Sequence, residues 1–150
     1  NIRFLMCGIC GVLNSNNEPV SSGLIKKMTR VIRHRGPDDE GIWIEGSIGL
    51  GMRRLSIIDL HTRGNQPMVD SSNGNWIVYN GEVYNYKTLR KGLESKGYHF
   101  KTNTDTEVIV NMYQEKGPDC LQDLNGMFAF AIYDIEKNYI NYINYINFLF

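Results

Sequence analysis

Two cysteines near the beginning of the chain are the first residues whose type and spacing suggest chemistry. Cys7 and Cys10 lie in the stretch MCGICGV, and Met6 comes directly before Cys7. Three interpretations are open for such a pair: a metal or redox Cys-x-x-Cys site, the end of a secretion signal, or a nucleophile that becomes the first residue of the mature chain.

The first two interpretations find little support elsewhere in the sequence. A structural zinc site needs two further ligands, and the remaining candidates, Cys120, His34, His61 and His99, contain no second pair at ligand spacing. The apolar run at 4–13 is not followed by a small-residue cleavage site. The ligand spacing therefore predicts no bound metal. Three cysteines cannot all pair with one another, so the sequence also predicts a reducing compartment, the cytoplasm.

As the first residue of the chain, Cys7 would supply a nucleophile and a base together. Removal of Met6 would leave a free α-amine, and such amines have a pKa of about 7.7–8.0 in model peptides. A thiol needs a nearby base or a lowered pKa to become a strong nucleophile. Cys7 is therefore predicted to be an N-terminal nucleophile, with a buried structural cysteine as the alternative.

A cysteine that attacks a carbonyl carbon also needs hydrogen-bond donors for the oxyanion that forms. Asn80 and Gly81 follow an apolar, β-rich run in the stretch VYNGEVYN. The Asn80 side-chain amide and the Gly81 N–H are candidates for that oxyanion hole. The alternative is a hairpin turn, because Asn-Gly is a strong signal for a two-residue turn.

Two charged residues are candidates for binding the α-carboxylate and α-ammonium groups of an amino acid. Arg54 lies at the end of a predicted strand and has the planar fork that pairs with a carboxylate. Asp105, in the stretch TNTDTE, is a candidate partner for an ammonium, with an exposed helix cap as the alternative. Glu82 and Arg53 are either part of the same site or solvated surface charges.

The length and the net charge of the chain limit the number of domains and the kinds of partner that we expect. A chain of 150 residues is expected to form one domain with its own core. Sixteen basic and sixteen acidic residues give a net charge of zero, and no basic cluster exceeds two residues. The composition therefore predicts neither a nucleic-acid partner nor a membrane surface, and no apolar run approaches the roughly 18 residues of a membrane span.

Hydrophobic periodicity and turn residues predict strands and helices that do not alternate regularly. Ser21 or Ser22 is expected to begin a helix whose inward face carries Leu24, Met28, Val31 and Ile32. Further helices are expected at 86–96, with Leu89 and Leu93 inward, and from Thr104 or Asp105 to Gly117. Predicted strands lie at 7–13, on both sides of a turn at 45–47, and at 76–79, 98–100 and 127–133, with a long loop at 61–75. This order favours an α+β fold of antiparallel sheets with helices packed outside.

The Tyr-Ile-Asn repeat near the end of the sequence follows a different pattern. Its period of three matches neither the period of a strand nor that of a helix. We expect it to be low-complexity sequence that forms neither element.

Seven motifs in order resemble one family. They are MCGICGV, RHRGPDDEG, RRLSIID, QPM, YNGEVYNY, TDTEVI and LNGMFAFAIYD, between about Met6 and Asn138. Together they resemble the glutamine amidotransferase domain of glutamine-hydrolysing asparagine synthetases, a class II, N-terminal-nucleophile domain. The resemblance implies a four-layer αββα sandwich of antiparallel sheets, incomplete at its C-terminal end. It also implies a domain at 7–138, preceded by an extension at 1–6 and followed by a tail at 139–150 that does not match the family.

The resemblance further implies a reaction and the roles of individual residues. Cys7 would attack the side-chain amide of L-glutamine and release ammonia through a glutamyl thioester, while Asn80 and Gly81 hold the oxyanion. No cofactor is expected for this step; a missing partner domain would use ATP and Mg²⁺ to amidate aspartate with the ammonia. The loop at 33–38 would form a wall near the nucleophile. The residues implied in glutamine binding are Arg54, Leu55, Ser56, Ile57, Ile58, Asn80, Gly81, Glu82 and Asp105.

Three features depart from the family pattern. Residues 1–5 lie upstream of the expected start, Met52 stands where the family commonly has histidine, and the repeat replaces the strand that completes the domain. The alternatives to a glutaminase domain are a non-catalytic remnant that keeps the fold as an interaction module and a Cys-x-x-Cys metal or redox protein.

Overall fold

The computed structural model describes residues 7–55, 65–70 and 72–146, with the backbone alone for 141–146. Seven strands, three α-helices and one 3-10 helix lie in this part of the chain. In chain order they are β1 (Gly8–Leu13), α1 (Ser22–Val31), β2 (Asp39–Glu45), β3 (Ile48–Arg54), β4 (Met68–Val69), β5 (Trp76–Val83), α2 (Tyr86–Ser95), α3 (Asp105–Lys116), the 3-10 helix (Gly117–Asp123), β6 (Gly126–Asp134) and β7 (Tyr139–Ile146).

The strands form two antiparallel sheets that stack between helices. Sheet 1 has the order β1-β3-β2, and sheet 2 has the order β4-β5-β6-β7. Helix α1 packs on sheet 1, α3 packs on β5 of sheet 2 and on α2, and β1 and β3 contact β5 across the interface between the sheets. The fold is therefore an α+β, four-layer αββα arrangement, which confirms the predicted class.

Glycines in β3 allow α1 to approach sheet 1 closely. A Cβ on Gly49 would lie 2.9 Å from Ile25 Cγ1, and a Cβ on Gly51 would lie 2.7 Å from Thr29 Cγ2. The intervening Leu50 points to the other face and is fully buried. In β3, Gly49 and Gly51 therefore leave room for the helix on one face, while Leu50 and Met52 give the other face an apolar surface for sheet 2.

The predicted inward face of α1 is wrong by about one residue. Ile25 and Thr29 are the buried residues of the helix, whereas Leu24 is 44% exposed and Val31 is 74% exposed. The observed face of α1 is turned toward sheet 1 because Ile25 and Thr29 fit against the glycines of β3. A pattern within the helix alone does not contain that long-range contact.

Two apolar clusters hold the layers together. Between the sheets, Leu50, Met52, Val78 and Ala131 are buried, and Cys7, Ile9, Trp43, Trp76 and Ile140 pack against them. The rings of Trp43 and Trp76, one from each sheet, stack with centroids 4.7 Å apart. The second cluster joins sheet 2 to α2 and α3 and includes Ile77, Tyr79, Leu93, Val108, Ile109 and Phe130.

Several predicted boundaries change in the structure. Residues 98–100 form no strand, and the predicted loop at 61–75 contains the short strand β4. Strand β5 continues through Asn80 and Gly81 to Val83, where they pair with Ala129 and Phe128 of β6. The hairpin-turn alternative for Asn80-Gly81 is therefore wrong, because cross-strand pairing overrides the local turn preference.

The Tyr-Ile-Asn repeat forms a strand, contrary to expectation. β7 pairs with β6 from Asp134↔Tyr139 to Met127↔Ile146. Backbone hydrogen bonds make this pairing, and they do not depend on the period of the side chains. The end of the domain at residue 138 stays a prediction.

No helix in the described ranges is long and apolar enough to span a bilayer.

The contact between α1 and β3 makes a testable prediction about stability. We expect Gly51→Ala to lower the free energy of unfolding by about 1–3 kcal/mol, because the added methyl group overlaps Thr29 and Cys10. The matched control is Gly92→Ala on the exposed side of α2, where a Cβ meets nothing within 4 Å. It should raise the free energy of unfolding by about 0.5–1 kcal/mol. Urea denaturation measures both; equal effects would contradict the packing described.

Candidate active site

Cys7 lies at the edge of sheet 1, immediately before β1, with its side chain half-buried between the sheets. Gly8 pairs with Arg53, so Cys7 falls beside the end of β3, next to Arg54 and Leu55. The Leu55 N–H donates to Cys7 Sγ at 3.3 Å, and Sγ lies 3.6 Å from the Leu55 carbonyl oxygen. The Arg35 Nε–H donates to the Cys7 carbonyl oxygen at 3.2 Å, which fixes the backbone of the candidate nucleophile.

The surroundings of Cys7 keep its thiol protonated. Burial raises the pKa of Cys7, and the negative charge of Asp105 acts in the same direction. The Leu55 N–H and the positive charge of Arg54 act in the opposite direction but do not outweigh burial. A nucleophilic thiolate at this position therefore requires a base.

Cys7 and Cys10 point to opposite faces of sheet 1, as residues three apart in a strand must. Cys10 Sγ lies 2.8 Å from the position of a Cβ on Gly51, on the α1 side. Burial and the charge of Glu40 raise the pKa of Cys10 to about 11. Within the described ranges no group of three or more His, Cys, Asp or Glu residues is arranged to hold a metal ion.

Asn80 and Gly81 lie in β5, the strand of sheet 2 that contacts β1 and β3 of sheet 1. Trp76 and Val78 belong to the cluster between the sheets, so the alternation of the strand puts Asn80 on the same side as Cys7. The Asn80 Oδ1 atom is buried and has no hydrogen-bond partner among the described residues. Gly81 has φ +149°, and a Cβ there would lie 2.2 Å from the Met127 carbonyl oxygen, so only glycine fits.

Asp105 is a buried carboxylate in the first turn of α3. Its Oδ2 accepts hydrogen bonds from the Tyr79 hydroxyl at 2.5 Å and from the Val83 N–H at 3.1 Å. Burial raises the pKa of Asp105, and these donors partly offset the effect. The alternative of an exposed cap is wrong: Asp105 is 4% exposed, and Thr104 caps the helix by accepting from the Glu107 N–H.

The two neighbouring arginines of β3 lie on opposite faces of sheet 1. Arg54 is buried, and its Nη1 donates to Asn65 Oδ1 at 2.5 Å. Arg53 faces α1 and forms an ion pair with Glu40 at 3.5 Å. Arg53 is 8% exposed, so its interpretation as a solvated surface charge is wrong.

Other predicted residues are less closely placed. Glu82 is exposed, and its charge raises the pKa of Tyr79 together with burial and Asp105. Ser56, Ile57 and Ile58 lie outside the described residues. Met52, at the position of the family's common histidine, is buried in the cluster between the sheets.

The structure brings Cys7, Arg54, Leu55 and Asp105 together: Leu55 bonds to the thiol, and the charges of the other two act on it. Sequence reasoning assigned no role to Tyr79, Gln66 or Thr106, although all three lie in the quoted motifs. A motif match does not show which hydrogen bonds its residues make. Arg35 belongs to the loop at 33–38 that was expected near the nucleophile, but its bond to Cys7 was not foreseen.

A cavity of about 710 Å³ lies elsewhere, between the β4 region and the segment that joins α2 to α3. Asp70, Tyr98, Lys101 and Asn111 are among its lining residues, and Cys7, Arg54 and Asn80 are not. Asn65, the hydrogen-bond partner of Arg54, also lines this cavity.

Comparison with known proteins identifies the family to which the chain belongs. The model of the family described as "Glutamine amidotransferase domain" matches residues 6–142. The chain belongs to this family. The family resemblance inferred from the seven motifs is thereby confirmed.

Curated relatives are glutamine-hydrolysing asparagine synthetases. Asparagine synthetase 1 of Bacillus subtilis is 44% identical over 132 residues, which cover 86% of this chain and 21% of the relative. Asparagine synthetase B of Escherichia coli is 44% identical, with 89% and 24% covered. The chain therefore spans about a quarter of the length of these two relatives or less.

Solved structures share the fold. The structure titled as the allosteric regulatory enzyme of purine biosynthesis has a TM-score of 0.52 and 25% identity, over 59% of this chain and 22% of that one. The glutamine phosphoribosylpyrophosphate amidotransferase of Bacillus subtilis has a TM-score of 0.50 and 24% identity, over 59% and 21%. The fold of this amidotransferase family is thus that of N-terminal-nucleophile hydrolases.

Burial of Asp105 predicts how its removal changes stability with pH. Because the folded chain has the higher Asp105 pKa, it binds that proton more tightly than the unfolded chain does. The wild type therefore loses stability relative to Asp105→Asn as the pH rises through the Asp105 pKa. We expect similar melting temperatures near pH 3 and a more stable variant near pH 7, by about 1–2 °C or more for a domain of this size.

Thermal melts over this pH range measure the difference. The matched control for loss of one negative charge is Asp119→Asn, on the exposed side of the 3-10 helix. An Asp105→Asn variant less stable than the wild type at neutral pH would contradict the assignment of Asp105 as a carboxyl whose pKa is raised by burial.

Proposed function

We propose that this chain is the glutaminase domain of a glutamine-hydrolysing asparagine synthetase, with Cys7 as its nucleophile. The observation that carries the proposal is the position of the Cys7 thiol, which bonds to the Leu55 backbone within reach of the charges of Arg54 and Asp105. Opposite charges at one thiol suit a zwitterionic amino acid that reacts at its side chain.

In the proposed first step, Cys7 sulfur forms a bond to the side-chain amide carbon of L-glutamine. The free α-amine of Cys7 takes the thiol proton and passes it to the amide nitrogen. The C–N bond then breaks, ammonia leaves, and a glutamyl thioester remains on Cys7. The raised pKa of the Cys7 thiol supports the need for this base.

The oxyanion of this step would accept hydrogen bonds from the Asn80 side-chain amide and the Gly81 N–H. Two observations support these roles. The alternation of β5 puts the Asn80 side chain on the same face as Val78, which lies in the cluster that Cys7 packs against. Gly81 has no side chain to obstruct a substrate, and its backbone conformation is one that other residues rarely adopt.

A water molecule then attacks the thioester carbon. The α-amine of Cys7 takes one proton from this water and passes it to the sulfur, so that the C–S bond breaks, the Cys7 thiol is restored and glutamate is released. Arg54 would bind the substrate carboxylate and Asp105 its ammonium group, with Glu82 and residues 55–58 lining the pocket. Both anchors are buried, which strengthens their interaction with a charged ligand.

The finer proposals concern the parent protein. Glutamine hydrolysis needs no cofactor, and the ammonia would pass to an ATP- and Mg²⁺-dependent synthetase domain that amidates aspartate. The similarity to asparagine synthetases over 86–90% of this chain supports that partner. A cytoplasmic location suits a site that needs a reduced thiol, and Cys7, Cys10 and Cys120 are all unpaired.

The test compares chains that begin at different residues. A chain expressed from Met6, with the methionine removed, should hydrolyse L-glutamine, and intact mass should show Cys7 as its first residue. Cys7→Ala should lower the rate by about a thousandfold or more, because it removes the nucleophile. A chain that retains residues 1–6 should lose about 100-fold or more, because its Cys7 nitrogen is an amide and no longer a base.

The outcomes separate the alternatives. Equal rates for the wild type and Cys7→Ala would refute Cys7 as nucleophile. Equal rates with and without residues 1–6 would refute the α-amine as base. A folded chain that begins at Cys7 and releases no ammonia would favour the non-catalytic remnant, and stoichiometric zinc would favour a metal protein.

A further inference from the structure

The Gln66 side chain connects the strand and the helix that carry the sheet 2 half of the site. It is 6% exposed. Its Oε1 accepts from the Tyr79 N–H at 2.5 Å, one residue before Asn80. Its Nε2 donates to Thr106 Oγ1 at 3.1 Å, one residue after Asp105. One buried amide therefore fixes Asn80 and Asp105 relative to each other.

The preceding residue connects the same segment to sheet 1. Asn65 Oδ1 accepts the hydrogen bond from Arg54 Nη1. The backbone of Gln66 packs directly on β2, since a Cβ on Gly41 would lie 1.6 Å from the Gln66 carbonyl oxygen. We call these two residues the Asn65–Gln66 bridge. It contacts both sheets and α3 at one point of the structure.

We propose that the Asn65–Gln66 bridge is a positioning element that sets the spacing between Arg54 and Asp105, and so the affinity for the α-amino acid end of the substrate. This inference rests on the proposed function, in which these two residues bind the carboxylate and the ammonium. Gln66 acts through them and does not touch the reacting atoms.

The geometry explains why an amide is needed at position 66. The Tyr79 N–H requires an acceptor, and the bond to Thr106 uses a donor on the same planar group. The Tyr79 hydroxyl bonds to Asp105, so Gln66 holds the backbone and Tyr79 holds the carboxylate of one connected network. A shift of about 1 Å in one anchor is enough to weaken productive binding by about 100-fold.

The test uses Gln66→Met, which keeps the length of the side chain and removes both hydrogen bonds. In the chain that begins at Cys7, KM for L-glutamine should rise about 10- to 100-fold, with a smaller change in kcat. Alkylation of Cys7 by iodoacetamide, a neutral reagent that needs neither anchor, should keep its wild-type rate. Gln122→Met, the same substitution at an exposed position of the 3-10 helix, is the surface control.

A second pair of variants guards against loss of folding. Thr106→Val removes the oxygen that accepts from Gln66, whereas Thr106→Ser keeps it. We expect Thr106→Val to raise KM and Thr106→Ser to match the wild type. If Gln66→Met or Thr106→Val leaves KM unchanged, or slows alkylation as much as hydrolysis, the bridge has no positioning role.

Failure of the proposed function is distinguishable from failure of this inference. A wild-type chain that begins at Cys7 and does not hydrolyse glutamine disproves the reaction. Calorimetry with L-glutamine in the Cys7→Ala background then measures the bridge directly. There Gln66→Met should weaken binding about tenfold or more, and unchanged binding overturns the inference.

Discussion

The antiparallel pairing of β1 with β3 is the constraint on which the candidate site depends. It brings Cys7, at the beginning of one strand, beside Arg54 and Leu55, at the end of the other. The thiol thereby gains a backbone donor and a nearby positive charge from one segment. The glycines of β3 allow α1 to cover the opposite face of this sheet.

Two of the buried charged residues, Arg54 and Asp105, come from sheet 1 and from α3. Arg54 and Asp105 are both more than nine-tenths buried; Asn65 accepts a hydrogen bond from Arg54, and Tyr79 donates one to Asp105. Buried charged groups destabilise a folded chain unless they are well hydrogen-bonded. The charges of both residues act on the Cys7 thiol, an arrangement that matches the proposed binding of a zwitterionic amino acid.

Sequence patterns within one element correctly predicted features that depend on neighbouring residues in the chain. Thr104 caps α3 as its sequence predicts, and Leu93 faces the core from α2. Local patterns failed where residues distant in the sequence determine the structure. The buried face of α1, for example, is determined by Gly49 and Gly51 of β3. The strand through Asn80-Gly81 follows from pairing with β6. The candidate residues could be chosen from the sequence because chemistry limits the residue types, but their hydrogen-bond partners come from the fold.

The Tyr-Ile-Asn repeat in β7 affects how the register of that strand on β6 is specified. Sliding the strand by three residues would set the same residue types opposite β6, so the repeat itself encodes no unique alignment. The preceding turn resolves this ambiguity. Asp134 accepts from the Lys137 N–H at 3.1 Å, and Asn138 Oδ1 accepts from the Tyr133 hydroxyl at 2.8 Å. The four-residue turn between β6 and β7 thus fixes the register of a strand whose own sequence does not specify it.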